Sequence, residues 1–381
     1  MRSSKHLSFV FFALTAFLTL SSCGGGKVSY SPGEADTLKL KYARYLKVVR
    51  LPKYTLATLR NPWDTTKTLH TYILVPKDKP MPDGLPNGTV IRIPVGKAVV
   101  YSSVHSSLMI QMGAQQHIGA VCGLRYIKLP YIQERCREGK IIDAGDDLNP
   151  DIEKIIDLHP DLIMLSPFEN SGGYGRVEKL GIPIMECADY MEDSALGRAE
   201  WMRFYGLLFG REKIADSLFT IVEKNYLALC RLTANVKLKP KVLDGQKSSA
   251  TWYVSNGNSP TGHIYADAGV AYAFADRKKN GFDPLSFEQV FEKAQDADIW
   301  FIKYNMKEDK TYKSMLRDYA PYQNFEAFKN HRVYGCNTNT VPYYEETSFH
   351  PDWLLQDIIV ISHPELLPGK QTRYYKPLKE E

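Results

Sequence analysis

The most regular pattern of apolar and polar positions lies near the middle of the chain, between residues 141 and 167. Ile152, Ile155 and Ile156 recur at the i, i+3, i+4 spacing of a helix that buries one face. Asn149 is a suitable N-cap, and the proline after it takes the first helical position, where a missing N–H costs nothing. The apolar run Leu162–Leu165 follows, as in a parallel strand buried on both faces. The pattern predicts half of a βαβ unit.

A similar pattern returns about 135 residues later in the chain. Ser286 and Gln289 fit a capping box at the start of a second helix, and Asp298–Ile302 supplies the apolar strand after it. Short strands alternate with helices around both stretches, which is typical of a doubly wound α/β lobe. The sequence therefore predicts an α/β fold with two related lobes.

Two further segments complete the predicted architecture. The apolar face of Arg211–Ala234 indicates a long, rigid helix between the lobes. Strand formers recur with period two over residues 38–93, which predicts a β-rich N-terminal extension. We therefore expect an N-terminal lobe over residues 38–210 that includes the extension, a connecting helix over 211–234 and a C-terminal lobe over 235–381.

The first residues of the chain have the features of an export signal. Two basic residues precede the apolar segment Leu7–Leu20, which is too short to span a bilayer. The sequence Leu-Ser-Ser-Cys at 20–23 resembles a bacterial lipobox, and predicts a signal peptide over 1–22, lipid attachment at Cys23 and a flexible tether over 23–37. An ordinary secretory signal is the alternative. We expect a periplasm-facing lipoprotein of the bacterial cell envelope, held at the membrane only through its lipid.

The charge balance and the cysteines exclude several classes of partner. The formal net charge of +5 falls to about +3 without the signal, and no cluster of Lys and Arg indicates nucleic-acid binding. Five cysteines follow Cys23 without a C-x-x-C motif, which argues against a zinc knuckle. A disulfide between Cys122 and Cys136 stays open, although buried free thiols are favoured. We expect a monomer whose partner is a small molecule.

Signs of catalysis are few. The chain has no G-x-S-x-G, P-loop, G-x-G-x-x-G or H-E-x-x-H motif. His105 and His117 lie on different predicted elements, which is too little for a zinc site, and no oxyanion hole is evident beside Ser102 and His105. We therefore expect a binding protein with no catalytic residues, no metal site built from its own side chains and no cofactor.

The loops that follow the predicted strands carry the candidate ligand-binding side chains, because ligands of open α/β sheets bind beyond the carboxyl ends of strands. These loops mix aromatic rings with amide and guanidinium donors, which suits a bulky, partly apolar ligand with carbonyl or anionic oxygens. The candidates are Ser103, His105, Arg125, Tyr126, Phe168, Glu169, Tyr190, Trp252, Tyr253, Asn256, Tyr304 and Asn305.

Taken together, four stretches of the chain resemble class III periplasmic substrate-binding proteins, which serve ABC importers of ferric siderophores, haem and cobalamin. The resemblance covers residues 96–368 and rests on residues 99–121, 145–166, 210–226 and 285–302. It implies a ligand held in the cleft between two lobes and handed to a membrane permease. It also implies one docking glutamate per lobe, and Glu153 and Glu288 match those positions. Complementing a helix dipole is the simpler role for both glutamates.

The ligand stays open within that family. Arg125, Arg277 and Lys303 favour an iron complex of an anionic siderophore, with Arg125 facing the anionic groups of the ligand. Cobalamin or haem is the alternative, and cobalamin would need aromatic walls with few charges. Trp252, Tyr253, Tyr126 and Tyr190 are expected to enclose the organic scaffold. An envelope enzyme or an interaction module on the same scaffold is a further alternative, which would show turnover or bind a protein.

Overall fold

The structure is a computed structural model that describes residues 36–169 and 173–381. The predicted signal peptide, the lipid attachment at Cys23 and nearly all of the tether lie outside the described residues. Over the two described ranges, no helix combines the length and the apolar character needed to cross a membrane.

The described chain opens with the predicted β-rich extension, a five-stranded sheet. Its strands are β1 (Asp36–Leu38), β2 (Leu46–Arg50), β3 (Thr55–Arg60), β4 (Thr68–Pro76) and β5 (Thr89–Ile93). Neighbouring strands from β1 to β4 pair antiparallel, and β5 joins β4 in parallel. Leu46 and Val48 are buried while Lys47 between them is exposed. The alternation over these three residues therefore shows which face of the sheet packs against the rest of the protein.

The first α/β lobe follows the extension. Its elements are β6 (Ala98–Val100), α1 (Ser103–Gln111), β7 (Ile118–Val121), α2 (Pro130–Arg137), β8 (Ile142–Asp143), α3 (Ile152–Leu158), β9 (Leu162–Leu165), β10 (Ile184–Glu186), α4 (Ala195–Glu200) and α5 (Met202–Leu208). The strands pair in parallel in the order β10-β9-β6-β7-β8. The chain leaves β6 towards β7 on one side and later returns to β9 on the other. This change of direction is a topological switch point, where open α/β sheets bind ligands.

Helix α3 differs in detail from its prediction. Asn149 is not the N-cap, because residue 150 forms a β-bridge with Gly145 and the helix begins later. Asp151 is the cap, and its carboxylate accepts from the backbone N–H of Lys154 at 3.2 Å. Ile152 and Ile155 are buried, but Ile156 is 48% exposed, so the buried stripe is narrower than predicted. All four residues of β9 are buried, as expected for a central parallel strand.

Helix α6 (Glu212–Thr233) connects the two lobes, as predicted. The second lobe contains β11 (Lys241–Asp244), β12 (Lys247–Ser248), β13 (Thr251–Ser255), α7 (Pro260–Asp267), β14 (Ala271–Tyr272), β15 (Phe282–Leu285), α8 (Phe287–Ala294), β16 (Ile299–Tyr304), α9 (Tyr312–Asp318), α10 (Glu326–Lys329), β17 (Val333–Asn337), α11 (Tyr343–Thr347), α12 (Pro351–Ser362) and β18 (Lys376–Pro377). Its main sheet has the order β14-β11-β16-β17-β18, parallel except for β18. The strands β12, β13 and β15 form a small antiparallel sheet beside it. The capping box of Ser286 and Gln289 is present at the start of α8.

The extension and both lobes share one continuous core. Tyr72 of the extension, Val100 of the first lobe, Phe219 of α6 and Trp300 of the second lobe belong to the same buried cluster. Helix α1 packs against α11, so the lobes meet beside the carboxyl ends of β6 and β17. The two-lobed α/β fold class is therefore confirmed.

Cys122 and Cys136 are free thiols, which excludes the disulfide alternative.

Candidate functional site

A cavity of about 640 Å³ opens at the carboxyl ends of β6, β7 and β9, at the switch point of the first sheet. Its floor comes from the residues that directly follow these strands, and loops over 147–152 and 173–177 form its sides. The described lining residues all lie between positions 101 and 177, in the first lobe. The volume is within the range of small-molecule and cofactor sites.

The first turn of α1 faces this cavity. Ser102 is the N-cap, and its hydroxyl accepts from the backbone N–H of Val104 at 3.2 Å. Ser103 is the first helical residue, and both serines line the cavity. No acidic side chain lies in the first turn of α1, so the positive end of the helix dipole is not compensated there. Negative charge or a polar oxygen on a ligand would be stabilised at this end of the cavity.

Aromatic rings form much of the wall. Tyr101, Tyr126, Phe168 and Tyr174 line the cavity, and the side chains of Tyr126 and Phe168 are 64% and 56% exposed. Large apolar surfaces exposed around a cavity indicate a place where a partner binds. The hydroxyl of Tyr101 is buried and pairs with no nitrogen or oxygen of the described residues; the thiol of Cys122, a weak hydrogen-bonding group, is its neighbour. Because buried polar groups are nearly always paired, a ligand oxygen beside Tyr101 would satisfy it.

The charged groups of the cavity are few. Asp147 lines it, and the hydrogen bond that its carboxyl donates to the neighbouring Asp146 carboxylate, together with partial burial, raises the pKa of Asp147. Arg176 also lines it and forms no ion pair with any residue that the structure describes. Sequence reasoning missed Arg176 as a binding residue; its signal was its place just after the glycines that follow β9. The cavity thus offers one available guanidinium and one carboxyl.

The structure brings three of the sequence-based candidates of the first lobe to this cavity, namely Ser103, Tyr126 and Phe168. Arg125 lies next to them but donates to Asp146 at 2.7 Å, and its guanidinium lies 4.6 Å from the ring centroid of Tyr126. Glu169 is exposed beyond Phe168 and does not line the cavity. Tyr190 also lies outside the lining, and its hydroxyl donates to the carbonyl of Pro167 at 2.5 Å.

His105 belongs to a buried polar network and does not line the cavity, so the structure gives no support to its prediction as a ligand-binding residue. Its Nε2 lies 2.8 Å from Asp189 Oδ1, which also accepts from the hydroxyl of Tyr205 at 2.8 Å. Arg198 Nε lies 3.2 Å from the other oxygen of Asp189. Burial alone would lower the pKa of His105, but Cys187 and the Asp189 carboxylate outweigh it and raise the pKa to about 10. The ring is therefore a protonated partner of Asp189 inside the fold.

Three candidates of the second lobe, Trp252, Asn256 and Tyr304, are buried and do not line this cavity, so the structure gives no support to their predictions as ligand-binding residues. Trp252 has no exposed surface, stacks on Trp300 with centroids 5.6 Å apart and donates from Nε1 to the Asp244 carbonyl at 3.1 Å. Asn256 is fully buried, and the hydroxyl of Tyr304 accepts from the Lys310 N–H at 3.0 Å. Residues alternate across β13, and Trp252 falls on the inward side.

Tyr253 and Asn305 remain candidates of the second lobe. Tyr253 is 56% exposed on the outward face of β13. Asn305 follows β16 and donates from Nδ2 to Thr338 Oγ1 at 3.3 Å. Neither residue lines the cavity of the first lobe, so their contact with a ligand stays a prediction.

The cations that favoured a siderophore are all paired with carboxylates. Arg125 contacts Asp146, and Arg277 contacts Asp283 through Nε at 2.9 Å and Nη2 at 2.5 Å. Lys303 Nζ lies 3.6 Å from Asp244 Oδ1 in a mostly buried pair. Within the described ranges, no group of three or more His, Cys, Asp and Glu side chains is arranged to hold a metal ion.

Glu153 and Glu288 both project from the first turn of a helix into solvent. Neither forms an ion pair with a residue of the described chain. Hydrogen bonds from its own backbone N–H and from the Ser286 hydroxyl lower the pKa of Glu288, so its carboxylate is charged at neutral pH. Each glutamate is therefore available to a partner.

Comparisons with known proteins agree with this fold. The family model described as periplasmic binding protein matches residues 99–340, which leaves out the extension. An uncharacterized lipoprotein of Methanocaldococcus jannaschii is 29% identical over 360 residues, covering 88% of this chain and 84% of that protein. A second uncharacterized lipoprotein of the same organism is 25% identical over 317 residues, covering 81% and 80%.

Several solved structures share the fold at low sequence identity. A periplasmic haem-binding protein from Pseudomonas aeruginosa superposes with a TM-score of 0.58 and 14% identity, covering 75% of this chain and 99% of that chain. A periplasmic vitamin B12-binding protein of Vibrio cholerae gives 0.53 and 14%, covering 72% and 99%. A protein of an Fe³⁺-hydroxamate transport system from Saccharomonospora viridis gives 0.55 and 15%, covering 70% and 93%.

Proposed function

Because the chain belongs to the periplasmic binding protein family, we propose that it captures a metal complex and delivers it to the permease of an ABC importer. The observation that carries this proposal is the aromatic cavity at the switch point of the first sheet. The similar structures are described as binding haem, vitamin B12 or taking part in Fe³⁺-hydroxamate transport, which supports this class of ligand. Binding without turnover is the proposed activity.

The pairing of the candidate cations with carboxylates favours a ligand of low net charge, of the haem or corrinoid type. A polyanionic siderophore would be stabilised by several unpaired cations, but Arg125, Arg277 and Lys303 are each neutralised by a carboxylate. The large exposed rings of Tyr126 and Phe168 instead offer flat apolar surface for a macrocycle. This reverses the preference that the sequence alone suggested.

Within the cavity, we assign different parts of the ligand to different walls. Tyr126, Phe168 and Tyr174 enclose the organic scaffold, and Arg176 pairs with a peripheral carboxylate or phosphate. The Tyr101 hydroxyl and the first turn of α1 hold a polar oxygen of the ligand. Tyr253 and Asn305 would contribute from the second lobe on the other side of the cleft.

A ferric siderophore is the second candidate. The unpaired guanidinium of Arg176 and the uncompensated start of α1 both stabilise anionic oxygen, which such complexes carry. A siderophore complex with one or two negative charges would be satisfied by these two groups.

Delivery would use Glu153 and Glu288 as one docking contact per lobe, because both carboxylates are exposed and lack ion-pair partners in the described chain. Lipid attachment at Cys23 would hold the protein, as a monomer, at the surface of the cell envelope. Two relatives that are named lipoproteins support this anchor.

Calorimetric titration tests the proposed function with four probes: hemin, cyanocobalamin, the trianionic complex ferric enterobactin, and free Fe³⁺. We expect one-to-one binding of hemin or cyanocobalamin with a Kd of about 1 µM or lower, which corresponds to about −8 kcal/mol. Tighter binding of ferric enterobactin would reverse the order of the candidates. Absence of binding to all four probes would overturn the proposal.

A further inference from the structure

Tyr174 separates the ligand cavity from a second space. A cavity of about 580 Å³ lies between the β-rich extension and the first lobe, and Tyr174 lines both cavities. His70 and Thr89 of the extension line the second cavity, together with Glu186 at the end of β10. The wall of the ligand site is therefore also a surface of contact with the extension.

Glu186 links Tyr174 to the extension through a short set of hydrogen bonds. The hydroxyl of Tyr174 donates to Glu186 Oε1 at 2.6 Å. The hydroxyl of Tyr72 donates to Glu186 Oε2 at 3.3 Å and accepts from the Glu186 backbone N–H at 2.9 Å. His70 Nδ1 lies 3.3 Å from the same Oε2. Both oxygens of one carboxylate are thus held, one by the cavity wall and one by β4.

The groups that hold Glu186 are themselves fixed. The ring of His70 stacks on Tyr72 with centroids 4.5 Å apart, and its Nε2 lies 2.7 Å from Thr89 Oγ1 on β5. Burial alone would raise the pKa of Glu186, but hydrogen bonds from His70, Tyr174 and Tyr72 outweigh it and lower the pKa. The carboxylate is therefore charged at neutral pH, which strengthens each of these bonds.

A second set of hydrogen bonds joins the extension to the first lobe. The buried carboxylate of Glu200 accepts from three successive backbone N–H groups, those of Lys41, Tyr42 and Ala43, at 2.7–2.9 Å. Glu192, also buried, accepts from the next two N–H groups of the chain at 2.9–3.1 Å. The extension is therefore attached to the first lobe both at Glu186 and through the segment between β1 and β2.

We propose that the extension is part of the ligand site: His70 and Tyr72 hold Glu186, and Glu186 sets the position of Tyr174 against the ligand. Tyr174 is then a specificity-determining residue, and Glu186, His70 and Tyr72 are positioning residues. The inference rests on the proposed function of the cavity. It assigns a role to a segment that the family match over residues 99–340 does not include.

The first part of the test needs no ligand. A 3-fluorotyrosine placed at position 174 reports its surroundings through its ¹⁹F resonance, compared between the wild type and Glu186→Gln. The Tyr174 hydroxyl donates to the Glu186 carboxylate at 2.6 Å, so we expect the ¹⁹F resonance at neutral pH to shift and broaden in the variant, because the ring is no longer held in one position. The same chemical shift and line width in both proteins would overturn the positioning role of Glu186.

The second part measures the Kd of hemin and of cyanocobalamin for Tyr174→Phe and His70→Ala. We expect at least one Kd to rise by about fivefold or more in each variant, and the ratio of the two Kd values to change by about threefold. A change of that ratio separates positioning from a general loss of stability. Both Kd values within about twofold of the wild type in both variants would overturn the inference.

Tyr42→Phe is the matched control. It removes another hydrogen bond between a tyrosine and a carboxylate, from the extension to Glu223 of α6 at 2.6 Å, and Tyr42 does not line the ligand cavity. We expect a lower Tm with both Kd values unchanged. If the wild type binds none of hemin, cyanocobalamin, ferric enterobactin and free Fe³⁺, the proposed function is overturned and this inference with it. If the wild type binds and the Kd values of the variants are unchanged, the inference alone is overturned.

Discussion

Arg125 donates a 2.7 Å hydrogen bond to Asp146, so its charge is compensated at the rim of the ligand cavity. Arg176 lines the same cavity without an ion pair in the described chain. We predict that Arg176→Ala raises the Kd of hemin about tenfold or more, because a charge-assisted hydrogen bond contributes about 1.5–3 kcal/mol. Arg125→Ala should change it less than about threefold. Isothermal titration of both variants measures the difference.

Arg135→Ala serves as the control for these substitutions, because Arg135 of α2 is paired with Glu138, the residue that follows this helix, and does not line the cavity. The Kd of hemin for Arg135→Ala should equal that for the wild type. A larger effect of Arg125→Ala than of Arg176→Ala would mean that the anionic part of the ligand lies outside the cavity, nearer the rim.

Trp252 is predicted to support stability and not binding. Trp252→Phe removes the 3.1 Å hydrogen bond to the Asp244 carbonyl and part of the stacking on Trp300. We expect the free energy of unfolding to fall by about 1–3 kcal/mol, from the lost contacts and the unsatisfied carbonyl. Urea unfolding measures that loss. The Kd for hemin should stay within about twofold, and a Kd raised about tenfold would place Trp252 in the ligand site.

The buried pair of His105 and Asp189 predicts a dependence of stability on pH. The folded-state pKa of His105 is raised to about 10, from an ordinary value of 6.5. Its contribution is therefore complete below pH 6.5 and is lost as the pH rises towards 10. The folded-state pKa of Asp189 is lowered to about 2, because His105 and Arg198 outweigh the effect of burial. The contribution of Asp189 is present above about pH 4 and is lost as the pH falls towards 2.

We expect the difference in unfolding free energy between the wild type and His105→Gln to be constant from about pH 4 to 6.5 and to shrink from 6.5 to 10. Chemical denaturation across this range measures the difference. A difference that grows with rising pH would show that the ring is neutral in the folded protein.

The docking role of Glu153 and Glu288 predicts a loss of transport without a loss of binding. Reversing both charges with Glu153→Arg and Glu288→Arg should reduce stimulation of the partner transporter's ATPase about tenfold or more, because like charges repel at the contact. The Kd for the ligand should not change, since neither residue lines the cavity. Glu134→Arg, at an exposed site on α2, is the control. Full stimulation by the double variant would contradict docking through these two carboxylates.

The spacing of apolar residues predicted the architecture, because burying one face of a helix or both faces of a strand directly determines that spacing. Leu162–Leu165 reads as a buried strand in the sequence and is one, and the capping box of Ser286 and Gln289 starts a helix as expected. The competition between neighbouring residues for the N-cap position of α3 was harder to predict. Asp151 displaced Asn149 as the N-cap because the backbone of residue 150 was already engaged with Gly145 in a β-bridge.

The candidate site was less predictable, because residue type does not report which way a side chain faces. Ser103, Tyr126 and Phe168 were predicted to follow strands and do reach the cavity. His105 and Trp252 were predicted by the same rule, but His105 lies in α1, Trp252 lies within β13, and both side chains are buried. Tyr174 and Arg176 were missed because their loop joins the cavity only in three dimensions. The link from β4 to Glu186 spans 114 residues of sequence and has no local signal.

Titration of hemin and cyanocobalamin into Ser166→Trp tests the central claim most directly. Ser166 is exposed on the cavity wall after β9, so an indole there would fill the space without disturbing the core. Ser217→Trp, at an exposed position on α6, is the matched control. We predict that Ser166→Trp abolishes the binding seen in the wild type and in the control, at an unchanged Tm. Wild-type affinity in Ser166→Trp would show that the ligand binds elsewhere.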